Sequence, residues 1–245
     1  MSEVAVIGLG PGYKEGMTFE AYEAIKAADV FCGFTTYIKL LPEEFADKPV
    51  ISTGMRGEVE RCTKALETAA EGKNVAMVCS GDSGLYGMAA LVYELLPQYE
   101  DKGVTVRTVC GVTAALSGSA RLGAAIGEDF ATISLSNYLV TTEQIHQRLA
   151  ALADCGMCMV FYNPRSHSRP DGLRDACDVL LQHLPAETAC GAVKNIGREG
   201  EHTDVMTLAE LRDYDADMFT AVFVGNAKTY IRNGKMITPR GYAHD

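Results

Sequence analysis

The sequence predicts an α/β protein of two α/β domains with mainly parallel sheets. Three observations point there. Short β-like apolar runs alternate with amphipathic helical runs along nearly the whole chain, the rhythm of strands laid side by side with helices on both faces. The strongest run, VAMVC at 75–79, is apolar at every position, as a strand covered on both sides has to be. The chain has 245 residues, enough for one large α/β domain or two small ones, and its composition turns to small residues (SGSARLGAAIGED) around 118–129. We place the domain division there, giving domains 1–122 and 123–245.

The elements follow in order. Residues 4–7 form a strand, and 18–28 a helix capped by Thr18, whose hydroxyl can accept from a free N–H of the first turn. A strand at 30–34 precedes a long helix at 58–71 with apolar residues Val59, Cys62, Leu66 and Ala69 on one stripe. Strand 75–79 leads to a helix at 85–96, and strand 104–109 to a helix at 114–122. In the second half come strand 132–135, helix 143–152, strand 157–162, helix 172–183 and strand 188–193. An edge strand at 201–206, a helix from Leu208 and a strand at 219–224 precede a loop-rich tail, where Gly234-Lys235 in IRNGKM marks a hairpin turn.

Bulk properties narrow the function classes. Hydrophobic residues make up 47% and charged residues 22%, ordinary globular composition. The net charge of −10 excludes the basic footprint of a nucleic-acid binder, while a local Arg and Lys patch can still hold a small anion. No apolar run approaches a membrane span, and residues 1–9 lack the basic flank of a signal peptide, so no membrane association and a cytoplasmic location are expected. The eight cysteines sit mostly in apolar runs and read as buried free thiols. Cys155-Gly-Met-Cys158 has half the spacing of a zinc site, but no second pair accompanies it, and no metal site is expected.

Three glycine-rich turns carry the chemistry. Gly8-Leu9-Gly10-Pro11-Gly12 ends the first strand, where glycine lets the main chain turn tightly and approach a ligand. A dinucleotide fingerprint needs a third glycine where this chain has Tyr13, and Pro11 disrupts the turn into a phosphate-binding helix. No acid follows the second strand to hold a ribose, which disfavours an NAD-linked oxidoreductase. Ser80-Gly81-Asp82-Ser83-Gly84-Leu85-Tyr86-Gly87 follows the most buried strand, at the end where open α/β sheets bind ligands. Asp82 there is either an acceptor for a ligand or a cap for the next helix, and the sequence leaves both open. Gly111-Val112-Thr113-Ala114-Ala115 offers main-chain groups and small side chains after the next strand.

In order and wording these turns resemble the tetrapyrrole (corrin/porphyrin) methylases. The resemblance runs from residue 3 to 242. Phe161-Tyr162-Asn163-Pro164-Arg165-Ser166, Lys194-Asn195-Ile196-Gly197-Arg198-Glu199-Gly200-Glu201, Gly225-Asn226-Ala227-Lys228-Thr229-Tyr230 and Met236-Ile237-Thr238-Pro239-Arg240-Gly241-Tyr242 look like the branch that methylates carbon 17 of precorrin-3B or its cobalt-bearing equivalent. The resemblance implies a homodimer with S-adenosyl-L-methionine in the cleft between two domains and S-adenosyl-L-homocysteine as product. It implies methyl transfer to a corrin precursor with contraction of the macrocycle, in cobalamin biosynthesis. Carried over by position, it implies that Pro11, Gly81, Asp82, Leu85, Thr113, Ala114, Tyr162, Asn163, Ala192, Thr220 and Ala221 border the cofactor.

No Ser-His-Asp, Cys-His or paired-carboxylate constellation stands out, so no catalytic acid or base is assigned. An activated methyl group asks the protein mainly for proximity and orientation. Where many relatives have Ser-Leu-Ser-Asp, this chain has Ser134-Leu135-Ser136-Asn137, and Asn is no general base. The substrate's carboxylate arms call for Arg and Lys. Arg165, Arg169, Lys194 and Arg198 in second-domain loops are the candidates, with Arg56 in the first domain; solvated loop charge is the alternative for each. His167 could reach a substrate metal or a carboxylate, or be a surface loop histidine. Tyr230, Arg240 and Tyr242 anchor the tail or line the dimer contact. Two other readings stand beside this one: a methyltransferase for another precorrin carbon, and a non-catalytic metabolite-binding module.

Overall fold

The computed structural model describes residues 2–243, which form two compact units dividing at Thr113/Ala114. The first unit contains β1 (Ser2–Gly8), α1 (Phe19–Ala27), β2 (Val30–Phe34), α2 (Thr35–Ile38), β3 (Val50–Thr53), α3 (Glu58–Ala70), β4 (Val75–Cys79), α4 (Ala89–Leu95) and β5 (Val104–Val109). Its five strands lie in the order β3-β2-β4-β1-β5, every pair parallel. The two faces follow strand alternation. Val4, Val6, Cys32 and Met77 pack under Cys62, Leu66 and Val92 of α3 and α4. Ala5, Ile7, Phe31 and Val78 pack under Ala21 and Ile25 of α1 on the other side. Thr18 caps α1 as expected, accepting from Ala21 N at 3.1 Å.

The second unit contains α5 (Ala114–Leu122), β6 (Gly123–Ala124), β7 (Phe130–Ser134), α6 (Thr142–Asp154), β8 (Cys158–Tyr162), α7 (Gly172–Leu180), β9 (Ala189–Lys194), β10 (His202–Thr207), α8 (Leu208–Leu211), β11 (Thr220–Val224), β12 (Tyr230–Arg232) and β13 (Lys235–Ile237). Its main sheet runs β10-β9-β11-β8-β7. Only β7 and β8 pair in parallel; β11 runs antiparallel to both β8 and β9, and β10 antiparallel to β9. The expected rhythm holds for direction: β7, β8 and β9 all point the same way, linked by α6 and α7. The neighbours differ, because β11 returns between β8 and β9. Parallel pairing thus dominates the first sheet, and the second is mixed.

The division falls one helix before the expected 122/123, and packing explains it. Ala115 and Leu122 of α5 are buried with Val193, Ala221 and Phe223 of the second sheet, on the face opposite α6, α7 and α8. The small-residue run that suggested a boundary is instead the close-packed side of this helix. A β-carbon on Gly118 would stand 2.7 Å from Phe223 Cζ and 3.2 Å from Ile196 Cδ1. The expected helix at 85–96 also shortens. It begins at Ala89, because Tyr86 takes a left-handed φ of 56° and Ala89 N donates to Ser83 O at 3.1 Å. In the tail, β12 and β13 form the expected hairpin through Asn233 and Gly234, whose φ of 51° and 69° suit a two-residue turn.

Gly118→Val should destabilise the second unit by about 2–3 kcal/mol, since Phe223 is fully buried and cannot yield space. Urea unfolding followed by circular dichroism checks this; an unchanged midpoint would contradict the docking of α5.

Candidate active site

Adjacent strands β4, β1 and β5 bring the three glycine turns side by side at the carboxyl edge of the first sheet. Their main chains touch. Gly10 N donates to Gly81 O at 3.0 Å and Gly81 N to Gly10 O at 2.8 Å, with Leu9 N on Cys79 O at 2.8 Å. A β-carbon on Gly8 would stand 2.6 Å from both Gly81 O and Gly111 N, and one on Gly111 only 2.1 Å from Gly81 O. Distances below 3.0 Å to main-chain atoms leave no room for a side chain, so glycine is obligatory at both positions.

Asp82 stitches the turns together. Its Oδ1 accepts from Gly84 N at 2.8 Å and Leu85 N at 2.9 Å, and its Oδ2 from Gly111 N at 3.0 Å. Partial burial pushes its carboxyl up, but the N–H groups of Gly111, Leu85, Gly84 and Ser83 outweigh this and hold it below the usual aspartate value. These bonds give Asp82 a structural role, joining its own turn to the one after β5 rather than capping a helix. Ser83 Oγ adds a fully buried bond to Val109 O at 2.9 Å, and Thr18 Oγ1 reaches Cys110 O at 3.2 Å. Pro11 is buried beside this edge; Gly81, Leu85 and Thr113 are half-buried. The three turns thus offer main-chain donors and acceptors along one sheet edge.

In the second unit, the carboxyl ends of β7, β8 and β9 carry most of the remaining candidates. Tyr162 Oη accepts from Ala115 N at 2.8 Å, at the start of α5, so Ala114 and Tyr162 are neighbours. Asn163 has a left-handed φ of 53°, and its Nδ2 donates to Ser134 Oγ at 3.0 Å. Thr220 pairs with Lys194 and Ala221 with Val193 across β11 and β9. Ala192 lies further inside β9, fully buried and flanked by β10 and β11.

The candidate cations divide. Arg169 donates to Leu135 O and, at 2.9 Å, to Asn163 O, so its guanidinium fastens the ends of β7 and β8 together. Arg165 pairs with Asp215, and Lys194 with Asp217 at 2.7 Å; the Asp217 carboxylate raises the lysine's pKa. Arg198 lies over the Phe219 ring at 5.8 Å. His167 is exposed. The acidic partners Asp215 and Asp217 went unassigned in the sequence, although the run DYDAD at 213–217 was the signal for them. Buried Arg61 also went unassigned.

Other motifs take structural roles. Asn226 Oδ1 accepts from Lys228 N at 3.0 Å, and its Nδ2 donates to Glu128 at 3.2 Å, which shapes the turn after β11. Thr238 Oγ1 donates to Ala125 O at 2.7 Å and ties down the tail. Cys158 is buried with its Sγ 3.7 Å from Thr238 Oγ1, while Cys155 is exposed. Burial pushes the thiols of Cys32, Cys62 and Cys177 up to about 12, which keeps them protonated and inert. Among the described residues no helix is long and apolar enough to cross a membrane.

The family model for Tetrapyrrole (Corrin/Porphyrin) Methylases matches residues 3–212. The chain belongs to this family. This tetrapyrrole methylase is 44% identical to a probable cobalt-factor III C(17)-methyltransferase of Salmonella typhimurium, over 98% of this chain and 99% of that one. It is 39% identical to a precorrin-3B C(17)-methyltransferase of Sinorhizobium sp, over 97% of this chain and 96% of the relative. The crystal structure of the methyltransferase CobJ superposes with a TM-score of 0.89 at 34% identity, covering 98% of this chain and all of that one.

Asp82→Asn should remove the Gly111 bond, since an amide nitrogen cannot accept, and should destabilise the first unit by about 1–3 kcal/mol near neutral pH. The folded carboxyl lies below its ordinary value, so its contribution is present above the unfolded pKa and is lost as pH falls through the folded one. Wild type and variant should therefore converge in acid. Chemical denaturation across the acid range checks this, and a pH-independent difference would contradict it.

Proposed function

We propose that this tetrapyrrole methylase transfers a methyl group from S-adenosyl-L-methionine to carbon 17 of cobalt-factor III or of precorrin-3B, with contraction of the ring, in cobalamin biosynthesis. One observation carries the reading: similarity to C(17)-methyltransferases spans nearly the whole length of both chains.

The cofactor supplies a methyl group already activated for attack by an electron-rich ring carbon. The chain's task is then to bind, orient and exclude water. We assign the main chain around Pro11, Gly81, Leu85, Thr113 and Ala114 to cofactor binding, with Asp82 holding that surface in shape. Tyr162, Asn163, Thr220 and Ala221 are assigned to the same ligand from the second unit. Ala192, buried within its sheet, has the least access of the set. Arg165, Lys194 and Arg198 are assigned to the substrate's carboxylate arms, which would replace Asp215 and Asp217 on the first two. Arg169 acts at one remove, by fixing the Asn163 corner. The working form is a cytoplasmic homodimer, which light scattering after gel filtration tests.

Incubation with labelled S-adenosylmethionine and each of the two substrates should give one added methyl group, placed on carbon 17 by mass spectrometry and NMR. Methylation at another carbon, or binding without transfer, would contradict the reading. Arg165→Glu should raise KM about tenfold or more while leaving S-adenosylhomocysteine affinity within a factor of about two. Equal loss of both, in a folded variant, would remove Arg165 from the substrate site.

A further inference from the structure

The carboxyl edge of the first sheet continues past the glycine turns to β2 and β3. The loop leaving β3, Gly54-Met55-Arg56-Gly57, lies on that same edge. It joins exposed apolar surface to a cation. Met55 is 58% exposed and Val59, in the first turn of α3, is 59% exposed. Between them Arg56 takes a left-handed φ of 64°, which L side chains disfavour and which the surroundings must enforce.

Arg61 holds the residues that flank it. It is only 4% exposed, rare for a charged side chain. Its Nη1 donates to Thr53 Oγ1 at 2.5 Å and to the carbonyls of Thr53 and Gly54 at 3.5 Å each. Its own N–H donates to Gly57 O at 2.9 Å, and Thr53 Oγ1 donates to the same carbonyl at 3.3 Å. One buried side chain thus grips the start of the loop, while Thr53 and the first main-chain bond of α3 hold its end. The Glu58 carboxylate stands 3.9 Å from Nη2, beyond hydrogen-bond range, and the guanidinium lies 6.0 Å from the centre of the Phe34 ring. A cation buried with so little direct neutralisation is justified by what it holds in place.

We infer that Arg61 is a positioning residue that fixes the 54–57 loop so that Arg56 takes one carboxylate arm of a tetrapyrrole while Met55 lies against the ring face. A planar guanidinium suits a carboxylate, and a flexible thioether side chain suits a flat apolar ring. The inference rests on the proposed methyl transfer to a corrin precursor and assigns a further part of the substrate site.

A double-mutant cycle tests it. Wild type, Arg56→Ala, Arg61→Ala and the double variant are compared for KM, kcat, S-adenosylhomocysteine affinity and thermal midpoint. Arg56→Ala and Arg61→Ala should each raise KM about tenfold, with kcat and cofactor affinity within a factor of about two. The double variant should be no worse than either single one, because both changes remove the same contact. Arg61→Lys, which keeps the charge and one donor direction, should fall between wild type and Arg61→Ala, and it replaces Arg61→Ala in the cycle if that variant does not fold. Independent effects multiplying to about a hundredfold, or an unchanged KM in either single variant, would overturn the inference while the wild-type reaction stands. A wild type that methylates neither substrate would overturn the functional reading, and this inference with it.

Discussion

At the carboxyl edge of the first sheet, three main chains approach one another more closely than any side chain permits, and the candidate site depends on that approach. Gly8, Gly81 and Gly111 come from three different strands, and a single methyl group at Gly8 or Gly111 would strike another turn's backbone. Asp82 converts this close approach into a fixed arrangement by accepting N–H groups from its own turn and from Gly111. Its carboxylate therefore works on the protein's own main chain. The positions of the resulting peptide groups are set by three parallel strands with apolar packing on both faces.

The second unit solves a different problem with the same components. Strands β7, β8 and β9 run in one direction through helical connections, while β11 returns between β8 and β9 to complete the sheet. Helix α5 covers the face that α6, α7 and α8 leave open. The cations on the carboxyl side are held by short acidic side chains of one loop, Asp215 and Asp217, or by carbonyls, as for Arg169. Each of these side chains is thereby fixed in orientation by the protein's own groups.

Much of this was legible from residue pattern alone. VAMVC announced a buried strand, Thr18 a helix start, and the glycine runs a set of tight turns at strand ends. What escaped was information that exists only between distant segments. The position of β11 depends on strand pairing, and a strand's own alternation does not name its neighbour. The small residues around 118–129 looked like a boundary because close helix packing and a flexible joint draw on the same residue types. Asp82 could be read as an acceptor but not as a link to Gly111, since that partner lies on another strand. Arg61 stayed hidden because an arginine beside charged neighbours on a helix reads as solvated, whereas here the helix turns it inward beneath the loop after β3.

We assign the stitched glycine turns to the cofactor as its platform. A crystal structure of the protein with S-adenosyl-L-homocysteine tests it most directly. The ligand is expected against the main chain of residues 81–85 and 111–114, with Asp82 still bonded to Gly111. A ligand bound elsewhere, with these turns facing solvent, would contradict it.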